Sequence, residues 1–288
     1  MPIYLNKQDK IKLQSKVRSK LMTPILPPKK VQQEFSKKAT ELWTRVLFPA
    51  TERIKQMIKD EASLYLIAEE IERTLRWATN EYATYSKHLV DRWRASVDEH
   101  TRGQMNAALR RAIGLDMTAV FEAPEVKEAL AIGGMEAANL IKSIPGQHLG
   151  KIAQAVADNF SGRRLPENRS LLQQIQEIGK VSKKRAKLIA RDQTSKLTGM
   201  LNEVRQTAIG IDEYIWRTSG DERVVGNPMG LYPEGNKTHG DHYHRNGKKF
   251  RWDSPPQDGH PGSAIQCRCY AQPIIDPQKI IALSLIHI

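Results

Sequence analysis

Before Gly210, apolar residues recur at three- and four-residue steps, the spacing of one helix face. Val31, Phe35, Ala39, Leu42, Trp43, Val46 and Leu47 open the pattern. Pro49 is placed to start or kink the next helix, which Ile54, Met57, Ile58, Leu64, Ile67, Ile71 and Leu75 carry to about His88. Leu89 to Gly114 continues in the same style past Gly103, and another helix is predicted over Pro124–Ser143 with Gly133-Gly134 as its weak point. Pro145-Gly146 reads as a turn. A short helix follows over Gln147–Phe160, closed by Ser161-Gly162. Leu165–Ile178 comes next, with Pro166 suited to a first helical turn and Gly179 to a C-cap. Ser182 then reads as the N-cap of a long helix to Ala208, whose apolar face is Ala186, Ile189, Ala190, Leu197, Leu201 and Val204. Gly210 supplies the glycine that ends it.

Beyond Gly210 the period changes to two. Tyr214, Trp216 and Thr218 alternate with Ile215 and Arg217, and Lys249–Trp252 and Tyr270–Ile274 offer two further strands. A loop rich in glycine and proline covers Gly220–Thr238. The fold class is therefore α+β: mostly helical in the N-terminal two thirds, with a small irregular C-terminal α+β module. Its sheet is too short to stand alone, so it is expected to pack on the Ser182 helix. The expected organisation is a basic arm and proline linker over 1–28, a helical region over 29–145 and the terminal module over 146–276. Leu283–Ile288 resembles translated sequencing adapter, and 283–288 is set aside as read-through.

Charge adds a partner class. The formal net charge is +13 over 288 residues. Residues 1–40 carry ten Lys/Arg against Asp9 and Glu34, as expected of an arm that seeks phosphate or an acidic surface, or of a solvated terminus. Lys180, Lys183, Lys184, Arg185 and Lys187 cluster at the predicted helix start, where free backbone amides would also favour phosphate. Any nucleic-acid contact there should be sequence-independent and salt-sensitive. Two cysteines in this length make no secreted disulfide framework. No apolar run reaches the roughly 18 residues that span a bilayer.

The chemistry-bearing residues gather near the C-terminal end. Cys267 and Cys269, with His242 and His260 and also His239 and His244, offer thiolate and imidazole ligands from which a tetrahedral zinc site can be drawn. The competing reading puts Cys267 and Cys269 on opposite faces of a strand, one buried and one exposed. Asp241-His-Tyr-His-Arg-Asn-Gly247 followed by His260, with Asp221 as a further carboxylate, resembles the His/Asn constellations of metal-dependent nucleases. The helix such sites require is blocked by Pro255-Pro256. Asp221 and Arg223 are expected to form a charge-assisted pair.

An ordered series of residues resembles the phage Mu F-like family of minor head, or head morphogenesis, proteins. It runs from Ala190-Arg191-Asp192-Gln193-Thr194 through Gly210-Ile211, Tyr214-x-Trp216-x-Thr218 and Asp221-x-Arg223-Val224. It continues with His242, Asn246-Gly247-Lys248 and Phe250, then Pro261, Cys267-Arg268-Cys269 and Pro273. The likeness covers about Leu149–Pro273, and this chain departs from the family's commonest form in the inserted Val225–Thr238. The resemblance implies a non-enzymatic protein of the capsid interior, assembled in the bacterial host cytoplasm. It would contact the portal protein and capsid or scaffold proteins and assist assembly, DNA packaging or ejection. Arg191, Trp216, Asp221, Arg223, His242, Gly247, Pro261, Cys267 and Cys269 would then brace the module.

Overall fold

The capping chemistry sets where the longest helices begin. In the computed structural model, which describes residues 7–14, 20–116, 123–162, 170–235 and 240–285, six α-helices and a four-stranded antiparallel sheet follow one another. They are α1 (Lys7–Gln14), β1 (Lys20–Leu21), α2 (Lys29–Lys59), α3 (Leu64–Ile113), α4 (Pro124–Phe160), α5 (Leu171–Thr207), β2 (Glu213–Arg217), β3 (Lys249–Arg251), β4 (Tyr270–Ile275) and α6 (Pro277–Leu285). The fold is the mostly helical α+β arrangement that the periodicity predicts. His239 and residues 286–288 lie outside the described residues.

Three helix boundaries differ from the sequence reading. The Pro49 pattern does not run on to His88: α2 passes through Pro49 and ends at Lys59, and α3 starts behind Ser63, whose hydroxyl accepts the Leu66 N–H at 3.4 Å. Pro145-Gly146 is not a turn but lies inside α4. Proline there removes one helical hydrogen bond and costs about 3 kcal/mol, which burial of Ile141, Ile144, His148, Leu149 and Ile152 around it offsets. Gly179 and Ser182 are interior to α5, which begins instead at a reciprocal capping box: Ser170 Oγ accepts from the Gln173 amide at 3.3 Å, and Gln173 Oε1 accepts from the Ser170 amide at 3.0 Å. At the other end Gly210, at φ 77°, closes α5 as expected.

The chain divides into two compact units. One is drawn from Lys30–Trp93 and Gly134–Arg191. Its core includes Phe35 stacked on Trp93 at 4.9 Å and the fully buried His148. The ring nitrogens of His148 reach Thr51 Oγ1 at 2.8 Å and Ser182 Oγ at 3.0 Å. Burial pushes its pKa down to about 4, only partly offset by the Ile178 carbonyl. The unfolded chain takes up this proton near pH 6.5 and the folded one only near 4, so stability present above 6.5 is lost as pH falls between them. The full shift corresponds to about 3 kcal/mol. Urea unfolding at pH 7 and pH 5 should show this loss, and His148→Gln should flatten it; an equal pH dependence in that variant would contradict the assignment.

The other unit comprises Met1–Lys29, Arg94–Gly133 and Asp192–Ile288. Leu13, Met22 and Ile25 of the basic arm are buried in one cluster with Met105, Leu109, Ile113, Ile209, Ile275, Ile280 and Ile281. The described part of the arm is thus packed, not a solvated terminus. β1 pairs with β4 at Lys20↔Ile275, an edge too short for any periodicity to reveal. The sheet order is β1-β4-β2-β3, with Tyr214 opposite Pro273 and Trp216 opposite Ala271. Tyr214 and Trp216 turn inward together, because alternate residues of a strand share a face. Trp252 ties the sheet to the C-terminal turns of α5 through Nε1 to Gln206 Oε1, 3.1 Å. That contact joins the end of β3 to the Asp192–Thr207 half of the helix that the sequence reading assigned to the sheet.

Candidate metal centre

Two turns bring the ligands together. His260-Pro261-Gly262-Ser263 closes with Ser263 N–H to His260 O at 3.0 Å, and Gly262 sits at φ 94°, the signature of a type II turn. The chain then delivers Cys267 and Cys269 just ahead of β4. Opposite them, Gly247 at φ 80° donates its N–H to Trp216 O at 2.8 Å and anchors the segment that carries His242. A side chain at Gly247 would find space but not that backbone angle.

His242 Nδ1 lies 3.5 Å from Cys267 Sγ and 3.5 Å from Cys269 Sγ. The three residues are 5 %, 8 % and 8 % exposed, and their ligand atoms all fall within 4.8 Å of one another. This His-Cys-Cys group can hold a metal ion. A tetrahedral zinc with Zn–S of about 2.3 Å and Zn–N of about 2.05 Å separates sulfur from nitrogen by about 3.6 Å, which both sulfur–nitrogen distances match. The opposite-faces reading of the cysteines is wrong: residues two apart in an extended segment project the same way, and both are buried. Arg268 between them projects away and pairs with Asp221 through Nη1 and Nη2, each at 2.5 Å.

The electrostatics favour a thiolate. Cys267 is drawn well below the ordinary thiol value, first by accepting from Cys269, then by His242 and the Gly262 amide, with burial opposing. Cys269 is pushed up, first by its hydrogen bond to Cys267 and then by burial, while the Trp216 indole works the other way. The contact thus sets the two sulfurs apart, with Cys267 the acceptor and Cys269 the donor. For His242, burial lowers the pKa, but Cys267 and then Asp258 outweigh it and the net direction is up. The buried Trp216 Nε1 makes no hydrogen bond of good geometry, though it lies near enough to Cys269 to lower that thiol.

Several expected residues sit elsewhere. His260 does not join the group: Tyr214 Oη meets its Nδ1 at 2.8 Å, and its Nε2 faces the Trp252 carbonyl at 3.1 Å. Because the carbonyl only accepts, both ring nitrogens are committed. His244 is turned to Asp241 on the surface, Nδ1 to Oδ2 2.6 Å. Asp221 pairs with Arg268, not with Arg223, whose backbone amide alone reaches it at 3.0 Å. Pro261 is buried with its carbonyl against Gly199 of α5, and Arg191 is half-buried on the same helix.

The basic cluster changes character. Lys180, Lys183, Lys184, Arg185 and Lys187 are interior to α5, so no free helix-start amides assist them. Lys180 pairs with Glu177 at 2.7 Å, Lys183 lies 5.8 Å over the Trp43 ring, and Arg185 reaches Ser143 Oγ at 3.2 Å. Lys180, Lys184 and Lys187 remain exposed at helical spacing.

Sequence reasoning missed Asp258 and gave no bracing role to Arg245 or Asp192, which it saw only as members of motifs. Asp258 Oδ2 holds His242 Nε2 at 2.8 Å, and Asp192 Oδ1 accepts the Gln266 N–H at 2.7 Å, fixing the loop before the cysteines to α5. Asp192 had a signal, since it belongs to the recognised helix series. Asp258, one acid in a proline- and glycine-rich loop, had none.

No protein-family model matches the chain, and no solved structure matches it. A curated protein of Haemophilus influenzae (strain Rd), itself described as uncharacterised, is 34 % identical over 189 residues. That alignment takes in 64 % of this chain and 38 % of the Haemophilus protein, so the chain spans well under half the length of that relative.

Proposed function

We propose that the chain is a structural, non-enzymatic minor head protein of a phage, docked on the portal inside the head, with a terminal module braced by zinc. The reading rests on the Mu F-like order of residues, and one observation carries it. The residues best equipped for catalysis are fixed inside the protein, with His242, Cys267 and Cys269 each less than one tenth exposed. Three donors leave the fourth position of a tetrahedral ion to another ligand, but burial this deep keeps that position from a phosphodiester, which a nuclease must be able to reach. Zinc is favoured by the donors, two thiolates and one imidazole at tetrahedral spacing. The exposed lysines of α5 would meet packaged DNA through charge alone, with binding that weakens steeply between 50 and 200 mM salt.

Two measurements test this. The full chain, purified without added metal, should carry about one zinc and bind the portal protein encoded beside it when the two are co-expressed. Incubation with DNA or RNA plus Mg²⁺, Mn²⁺ or Zn²⁺ should leave the nucleic acid intact. Cleavage that His242→Ala abolishes would instead establish a metal-dependent nuclease or toxin-like enzyme.

A further inference from the structure

Asp258 is buried to 3 % side-chain exposure beside the cysteine pair, yet it cannot be a ligand there. Its Oδ2 takes His242 Nε2, the ring nitrogen on the far side from the sulfurs, at 2.8 Å. Its Oδ1 faces Arg245 Nη1 at 2.6 Å, an ion-pair contact whose angles fall short of a hydrogen bond. The Arg245 guanidinium in turn lies 5.0 Å over the Trp216 ring, and Trp216 meets the His242 ring edge-on at 5.1 Å. The four side chains close a circuit around one imidazole.

That circuit has a chemical consequence. A carboxylate clamped by an arginine only accepts hydrogen bonds, so the hydrogen between Asp258 and His242 belongs to Nε2. Nδ1 is then the ring nitrogen left to give a lone pair to an ion held between it and the two sulfurs. Outer carboxylates of this kind orient metal-bound histidines and raise their basicity. The backbone is shaped to admit the clamp: Gly240, at φ 61°, would place a Cβ 2.6 Å from both Arg245 Nη2 and Asp258 Oδ2.

We propose that Asp258, seated by Arg245, is the outer partner that fixes His242 as an Nδ1 ligand to the zinc shared with Cys267 and Cys269. The inference rests on the zinc reading above and adds a positioning pair to it. The competing role is a plain buried ion pair that holds the loop and does nothing for a metal.

Zinc affinity separates the two roles, measured on the full chain by competition with a chromophoric chelator and supported by cobalt substitution. The unaltered chain should bind one cobalt with the sulfur-to-cobalt charge-transfer band of a two-thiolate site. Asp258→Asn should keep the helical circular dichroism and weaken zinc by about 10- to 100-fold, the range for loss of an outer partner. Arg245→Gln leaves the carboxylate but removes its cation, and should weaken zinc by a smaller factor; it also serves as the test if Asp258→Asn fails to fold. Unchanged zinc affinity in the folded variants, with normal binding by the unaltered chain, overturns the positioning role alone. If the unaltered chain binds neither cobalt nor zinc, the zinc reading fails and this inference goes with it.

Discussion

Replacing Cys267 and Cys269 together by serine is expected to abolish zinc binding and to lower stability by about 5–6 kcal/mol when free zinc exceeds the dissociation constant a thousandfold, about 4 kcal/mol of it the lost zinc linkage. Serine hydroxyls are poor zinc ligands, and two of them would be left beside Trp216 and Ala271 in an apolar cluster. Two effects therefore add, the lost metal linkage and the lost packing, and chelation separates them. In excess EDTA the unaltered chain loses the linkage as well, so the difference between the proteins should shrink to the packing part, about 1–2 kcal/mol. Urea unfolding with and without chelator measures both. A difference of equal size in the two conditions would mean that the sulfurs are merely packed. On the head-protein function proposed above, less of the variant should be incorporated into heads.

What the sequence showed of this module, and what it hid, follows from the range over which each signal acts. β2 and β4 were legible because Tyr214, Trp216 and their partners face one core, so burial is written as alternation. The end of α5 was legible because Gly210 alone meets the demand of a positive φ. Pro145 misled because local turn chemistry lost to burial of its neighbours, a tertiary effect. Ser182 misled for a related reason: its hydroxyl serves His148, which is 34 residues away. At the metal centre the ligand types were readable but their selection was not. His260 is nearer to the cysteines in sequence than His242, yet Tyr214 and Trp252 hold it on another side of the sheet cluster. Asp258 acquires its meaning only from Arg245 and His242 in space.

Asp98→Ala is expected to cost about 3–5 kcal/mol, the loss that follows when a buried charge is stripped of its partner. Arg205 of α5 is 1 % exposed and cannot shed its proton. Its Nη1 donates to Thr101 Oγ1 at 2.6 Å, and its Nη2 pairs with the Asp98 carboxylate, both supplied by α3. Without Asp98 the guanidinium keeps its desolvation cost and loses the carboxylate that offsets part of it. The same physics predicts that the double variant Asp98→Leu with Arg205→Met costs less than Asp98→Ala alone, because no charge is left inside. The consequence reaches the metal centre, since this stretch of α5 also carries Asp192 to Gln266 and Gln206 to Trp252. Loosening it should hasten zinc loss to a chelator in Asp98→Ala, while the double variant should release zinc at nearly the unaltered rate. Denaturant titration and chelator kinetics check the two halves separately. If the double variant is the less stable of the two, the ion pair is itself a source of stability and the cost does not lie in burying a charge without its carboxylate.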